Sequence, residues 1–308
     1  MGKRTFTPAT DIPSLTGKVI LVTGSNAGIG KATIRALAQH DPARIYLCAR
    51  RRSAAETAAA ELKNGTQYDR IDILTFDLAS LDSVKKCAAE FNDRASRLDL
   101  LFLNAGVAST PPALTQDGYE LQFGVNYLGH MLQTWRDNAN VDVPIIAAAS
   151  DAAFAPFLPK KRGLVLDEMR RPDAYGPMSL YAHSKLANVL FIRKLAQLYP
   201  GISAFAAHPG VVATEIWDKS AGGLMSALFK PIVWATAVDS DGGAKSQLWC
   251  ATTQIGSGVE VAESGQYYQP VGKNKALKGL SADQKVVDEL WEWTNNELAS
   301  YNSTGWPV

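Results

Sequence analysis

The run Thr23-Gly24-Ser25-Asn26-Ala27-Gly28-Ile29-Gly30 follows an apolar, β-branched stretch, Val19 to Val22, and leads into helix-like residues. Few local patterns leave a chain so little choice. A strand that turns sharply into a helix needs residues that tolerate φ > 0, and glycine does so without a Cβ penalty. The same turn offers backbone amides and a helix N-terminus, which together attract an anion such as a pyrophosphate. A plain strand-to-helix turn also uses glycines, so this fragment alone leaves both readings open.

The pattern around it narrows them. Lys18 to Thr23, Arg44 to Ala49, Ile71 to Phe76, Leu98 to Leu103, Val143 to Ala149 and Ile202 to Ala207 read as strands, several apolar at nearly every position, as buried parallel strands are. Helical patterns fall between them at Gly30 to His40, Ala54 to Lys63, Leu81 to Asn92, Tyr119 to Asn138 and Leu180 to Tyr199. Such alternation predicts an α/β fold, a doubly wound parallel sheet with helices on both faces in a single domain. Residues 1–16 read as an N-terminal extension and 17–308 as that domain. Its late additions are a helix at Asp241 to Thr252, an extended Gly265 to Pro270 and an amphipathic helix at Ser281 to Ser300.

A second fragment, Tyr181-Ala182-His183-Ser184-Lys185, puts a phenol and an ammonium one turn apart on a helix face. Tyrosine ordinarily titrates near ~10, too high for a good base at neutral pH, and an adjacent cation is expected to lower that value. Such pairs also occur by chance on exposed helices.

With 308 residues and a formal charge of +1, the chain gives no reason to expect nucleic acid or an anionic membrane as partner. Cys48, Cys87 and Cys250 have no metal-ligand spacing and read as reduced, packed thiols. Met1 to Thr16 is polar, and no window reaches the roughly 20 apolar residues of a membrane span. The expected location is cytoplasmic.

The spacing Gly-x-x-x-Gly-x-Gly, Asn104-Ala105-Gly106 after the fourth strand, Gly124-Val125-Asn126-Tyr127-Leu128-Gly129-His130 and the run Tyr181 to Phe191 resemble the short-chain dehydrogenase/reductase family. The run containing Ser184-Lys185-Leu186-Ala187-Asn188 is most similar to the retinol dehydrogenase-like branch, and the resemblance extends from about Gly17 to Lys273. It implies a catalytic tetrad of Asn126, Ser150, Tyr181 and Lys185. Tyr181 would exchange the proton, Ser150 would hydrogen-bond the substrate oxygen, and Asn126 would hold a water linking Lys185 to solvent. It also implies cofactor contacts from Thr23, Gly24, Ser25, Asn26, Gly28, Ile29, Gly30, Asp77, Leu78, Asn104, Ala105, Gly106, Tyr181, Lys185, Pro209, Gly210, Val211 and Thr214. Read from the residues alone, Ser150 is a turn or cap residue, Asn126 a helix brace, Asp77 a cap or turn residue, and His208 structural.

The second strand ends in Cys48-Ala49-Arg50-Arg51-Arg52, without an acid to hold a ribose 2′-hydroxyl. NADP(H) is the expected cofactor, with Arg50 on its 2′-phosphate. The expected function is hydride exchange with a ketone or aldehyde, or the corresponding alcohol, of a hydrophobic or aromatic small molecule. A non-redox isomerase or cyclase using the same fold is the alternative, and a cofactor-sensing protein without turnover is a third. A monomer and a homodimer both fit the sequence. Residues 154–177 read as an insertion over the pocket or a surface loop. The substrate loop is expected at about 211–240, with Trp217, Leu224, Met225, Leu228, Phe229 and Trp234 as its apolar stretch.

Overall fold

Along the first strand, β1 (Val19–Thr23), side chains alternate between two separate cores. Ile20 and Val22 pack on one face of the sheet with Ile45, Leu47 and Phe102, while Leu21 packs on the other with Tyr46, Leu101 and Leu103. This is the period of two expected of a strand, with both faces apolar because both are covered. The computed structural model describes residues 6–134, 143–155, 164–212, 238–253 and 261–301.

β1 is joined by β2 (Arg44–Ala49), β3 (Ile71–Thr75), β4 (Leu100–Leu103), β5 (Ile145–Ala148), β6 (Ala204–Ala207), β7 (Tyr267–Gln269) and β8 (Lys273–Asn274). The sheet order is β3-β2-β1-β4-β5-β6-β7-β8, and every pairing is parallel except the antiparallel β7–β8 hairpin. Because β1 pairs with both β2 and β4, the order reverses there, which opens a crevice beyond the carboxyl ends of β1 and β4. Helices α1 (Gly28–Ala38), α2 (Arg52–Thr66) and α6 (Ser240–Thr252) cover one face of the sheet. Helices α3 (Leu81–Arg94), α4 (residues 121–134), α5 (Pro177–Leu198) and α7 (Gln284–Leu298) cover the other.

The sequence predicts a regular helix from Tyr119 to Asn138. Instead the Glu120 carboxylate caps α4, accepting from the Gln122 and Phe123 amides at 3.0 and 2.8 Å, and Gly124–Leu128 form a π turn within it. Such turns concentrate at functional sites, and this one carries Asn126. Residues 135–138 of the expected helix lie outside the described residues.

The insertion is anchored where it is described. Its turn Leu166–Arg170 buries Met169, whose carbonyl accepts the Glu120 amide at 2.7 Å. Arg170 donates to the Tyr119 hydroxyl at 3.0 Å and pairs with Glu297. Helix α7 reaches back over α4 and α5, with the Tyr127 and Thr294 hydroxyls 2.8 Å apart and Lys194 2.6 Å from Asp288. At the other end of the chain, Ile12 and Leu15 are buried, and Leu15 donates its amide to the His40 carbonyl at 2.8 Å. Among the described residues no helix is long and apolar enough to cross a membrane.

Candidate active site

The glycine loop lies at the carboxyl end of β1, and two of its glycines are required by space. Gly24 has φ +62°, and a Cβ there would lie 2.7 Å from the Ala105 Cα. Gly30 has ordinary helical dihedrals, but its Cβ would fall 2.6 Å from both the Gly24 oxygen and the Asn104 Nδ2. The loop and the end of β4 are thus in direct backbone contact, leaving a shallow cradle at the N-terminus of α1. A cradle of this shape fits a pyrophosphate.

Several residues expected to touch the cofactor also brace the loop around it. Ser25 donates its hydroxyl to the Val22 carbonyl at 2.7 Å, accepts from the Cys48 amide at 3.1 Å and gives its own amide to the Cys48 carbonyl. Both of its donors are therefore used inside the protein. Asn104 Nδ2 donates to the Thr23 carbonyl at 3.0 Å, and the Thr23 hydroxyl accepts from the Ala105 amide at 2.9 Å. Asp77 accepts from the Ala79 amide at 2.9 Å, a turn contact, and Ser80 caps α3. Leu78 is buried against Gly129. Asn26, Gly28 and Ile29 are partly exposed at the start of α1, and Arg50 is exposed just past β2. Pro209, Gly210 and Val211 follow β6 on the same side of the sheet, with Gly210 at φ +86°. Thr214 and the apolar stretch Trp217, Leu224, Met225, Leu228, Phe229 and Trp234 lie outside the described residues.

The expected tetrad gathers beyond β4 and β5. A Cβ on Gly106 would lie 3.0 Å from Asn126 Oδ1 and 3.6 Å from Lys185 Nζ. Asn126 clamps Val107 with two hydrogen bonds, 2.8 Å from its amide and 2.9 Å to its carbonyl, and also donates to Ser184 Oγ at 2.9 Å. Its side chain thus performs the bracing role. Tyr181 is buried, and burial pushes its phenol up to about 12 against the hydrogen bond from Ser150, which acts to lower it. The expectation that Lys185 depresses this value is not met. Lys185 Nζ donates to the Ala148 carbonyl at 2.9 Å and stands 5.7 Å from the centre of the Tyr181 ring. Burial lowers the lysine itself to about 8. At pH 7 both groups therefore hold their protons.

His130 closes the run Gly124 to His130, where no local pattern in the sequence assigns it a role. Its Nδ1 lies 3.1 Å from the Asn126 carbonyl oxygen, an acceptor only, so Nδ1 carries the proton and Nε2 accepts from the Thr23 hydroxyl at 2.9 Å. One neutral ring thus couples the π turn to the glycine loop. Burial lowers its pKa from 6.5 to about 4. With the folded value below the unfolded one, the unfolded chain binds more protons between these two pH values, so stability is full above pH 6.5 and lost as pH falls toward 4. The expected loss is about 3 kcal/mol, and buried His183 shifts in the same direction. Urea unfolding at several pH values checks this: His130→Gln, which keeps a donor and an acceptor, is expected to flatten the acid limb. Equal slopes in both proteins would mean that the ring titrates as freely in the fold as out of it.

Among the described residues no group of three or more His, Cys, Asp or Glu side chains is placed to hold a metal, and Cys48, Cys87 and Cys250 are free and buried. The family model for short chain dehydrogenases matches residues 18–156. The short-chain dehydrogenase/reductase drtF of Aspergillus calidoustus is 33% identical, over 93% of this chain and 95% of its own. Human retinol dehydrogenase 12 is 34% identical, over 90% of this chain and 85% of its own. A crystal structure of an uncharacterized protein from Mycobacterium paratuberculosis superposes with TM-score 0.73 at 26% identity, covering 99% of this chain and all of that one. Agreement of this extent spans both the cradle and the tyrosine–lysine pair, and the chain therefore belongs to the short-chain dehydrogenase/reductase family of oxidoreductases, in its retinol dehydrogenase-like branch.

Proposed function

We propose that this oxidoreductase uses NADP(H) to reduce a ketone or aldehyde of a hydrophobic small molecule, with Tyr181 as the proton donor. The observation that carries this reading is the convergence at Gly106, where the end of the cradle meets Asn126 and Lys185. When bound, the nicotinamide supplies the hydride. Gly24, Gly28 and Gly30 admit the pyrophosphate against the start of α1. Ser150, just past β5, hydrogen-bonds the substrate oxygen and steadies the developing alkoxide. Tyr181 gives its proton to that oxygen, and its value of about 12 keeps the phenol protonated at neutral pH, which favours reduction. Running the reaction toward the carbonyl requires phenol deprotonation first, so alcohol oxidation gains with rising pH. Lys185, fixed by the Ala148 carbonyl, holds a positive charge near the pair. Met178, one turn before Tyr181, and Val211 are both exposed and apolar, which supports a hydrophobic substrate.

NADP(H) is preferred over NAD(H) because Arg50 and Arg51 stand exposed where an acid would otherwise bind the ribose, whereas Arg52 is engaged by Glu56 at 2.9 Å. Arg50→Ala is expected to raise the Michaelis constant for NADPH about tenfold, the scale of one charge-assisted hydrogen bond, and to leave that for NADH unchanged. Titrating both cofactors and following their consumption over a panel of aldehydes and ketones tests the proposal. Equal effects of Arg50→Ala on the two constants would remove the 2′-phosphate contact. No consumption across the panel would remove the reductase reading.

A further inference from the structure

Asp151 directly follows Ser150 and carries more partners than a turn residue needs. Its carboxylate accepts from the Tyr267 hydroxyl at 2.9 Å, from Gln269 Nε2 at 2.9 and 3.1 Å and from Lys275 Nζ at 2.8 Å. His208 Nε2 stands 3.7 Å away, its ring stacked 6.4 Å from that of Tyr267. Three of these donors come from the β7–β8 hairpin and the residue that follows it, more than 100 positions downstream. Phe154, at the far end of the same turn, packs edge-on against Tyr267 at 4.8 Å and lies 4.2 Å under Lys275 Nζ. Burial works against the charged carboxylate, but Lys275, Tyr267 and His208 outweigh it and hold Asp151 below the usual range. The side chain is 44% exposed, and an ion pair so placed is worth at most about 1 kcal/mol. Stability alone is a poor reason for such a cluster.

Its position offers a better one. On one side Ser150 is tied to the sheet through the Ala149 amide, 2.9 Å from the Ala207 carbonyl. On the other, the serine opens the short turn Asp151–Phe154, with its Oγ accepting from the Ala152 amide at 3.2 Å. The bonds within that turn set its shape but not its orientation against the sheet. We propose that Asp151 is a positioning residue: clamped by the β7–β8 hairpin, it fixes the turn so that the Ser150 hydroxyl faces the Tyr181 phenol. This rests on the reading of Ser150 and Tyr181 as the reacting pair.

The test uses protein labelled with 13C at tyrosine Cζ, a position sensitive to hydrogen bonding at the phenol. The Tyr181 resonance is assigned by its loss in Tyr181→Phe. At pH 7, Asp151→Ala and Ser150→Ala are expected to displace it in the same sense, and the double variant no further than Ser150→Ala alone. Asp151→Asn, which keeps an oxygen for Tyr267 and Gln269, is expected to displace it less. Far-UV circular dichroism and NADPH affinity within about threefold establish that each variant folds. In turnover, Asp151→Ala is expected to lower kcat about tenfold with KM nearly constant, as misorientation of a reacting group does. An unmoved resonance in Asp151→Ala, where Ser150→Ala moves it, overturns the proposal, and so does a double variant displaced beyond Ser150→Ala. The resonance needs no substrate, so a wild-type protein inactive on carbonyls defeats the proposed reaction without deciding this result.

Discussion

Tyr181→Phe is expected to lower turnover by about 10⁴, to the limit of detection, while NADPH affinity changes by no more than about threefold. The substitution deletes one oxygen and keeps the ring, which is buried at the start of α5. No cavity of consequence results, and the cradle at β1 is untouched. What is lost is the proton donor to the substrate oxygen, for which the buried site offers water no easy replacement. Steady-state kinetics together with cofactor fluorescence titration separate the two quantities. Retained turnover would transfer the acid role elsewhere, and a parallel loss of cofactor affinity would mean that the phenol holds the dinucleotide rather than the reacting oxygen.

Gly30→Ala is expected to weaken NADPH binding at least about tenfold and to cost about 1–3 kcal/mol of stability through overpacking. The position isolates close approach from backbone strain, because Gly30 lies within α1 and its φ is ordinary. The added methyl would meet the Gly24 carbonyl and the Ser25 Cα, at 2.6 and 2.8 Å, and neither can swing aside as a side-chain tip does. The loop must therefore move, and the cradle moves with it. Thermal unfolding with and without NADPH reads both effects, and the stabilisation by cofactor should shrink more than the melting temperature of the free protein. Gly65→Ala, at a site with open space around it, serves as the control.

These effects divide along what the sequence makes legible. The β-branched runs gave the inner strands to within a residue or two, because strands covered on both faces must be apolar at consecutive positions. The four-residue spacing of Tyr181 and Lys185 put both on one helix face, but it could not say where a long, flexible side chain ends, and the Ala148 carbonyl took the ammonium. Ser25 and Asn104 sit where a ligand contact was expected. A tight turn must also satisfy its own backbone, and the Ser25 hydroxyl and Asn104 Nδ2 serve that end. Asp151 was invisible for another reason: Tyr267 and Lys275 are 116 and 124 positions away, and no local pattern carries such a pairing.

Helix α7 determines when the active site can exist. Thr294 meets Tyr127, Glu297 meets Tyr119, Trp291 stacks on Phe191 and Trp293 packs edge-on against Phe123, all of them side chains on or beside the helices that carry Asn126 and Tyr181. Lys275, just upstream, closes the cluster around Asp151. The strands and glycines of the cradle come from the early part of the chain, and Thr23 meets Ala105 across 82 positions. The catalytic half lacks its outer wall until the final helix has left the ribosome. A chain ended before α7 would therefore keep the glycine loop and the strands around it but lose the side chains that back Asn126 and Tyr181, whereas one ended before α6 would also strip Gly243 and Gln247 from α1.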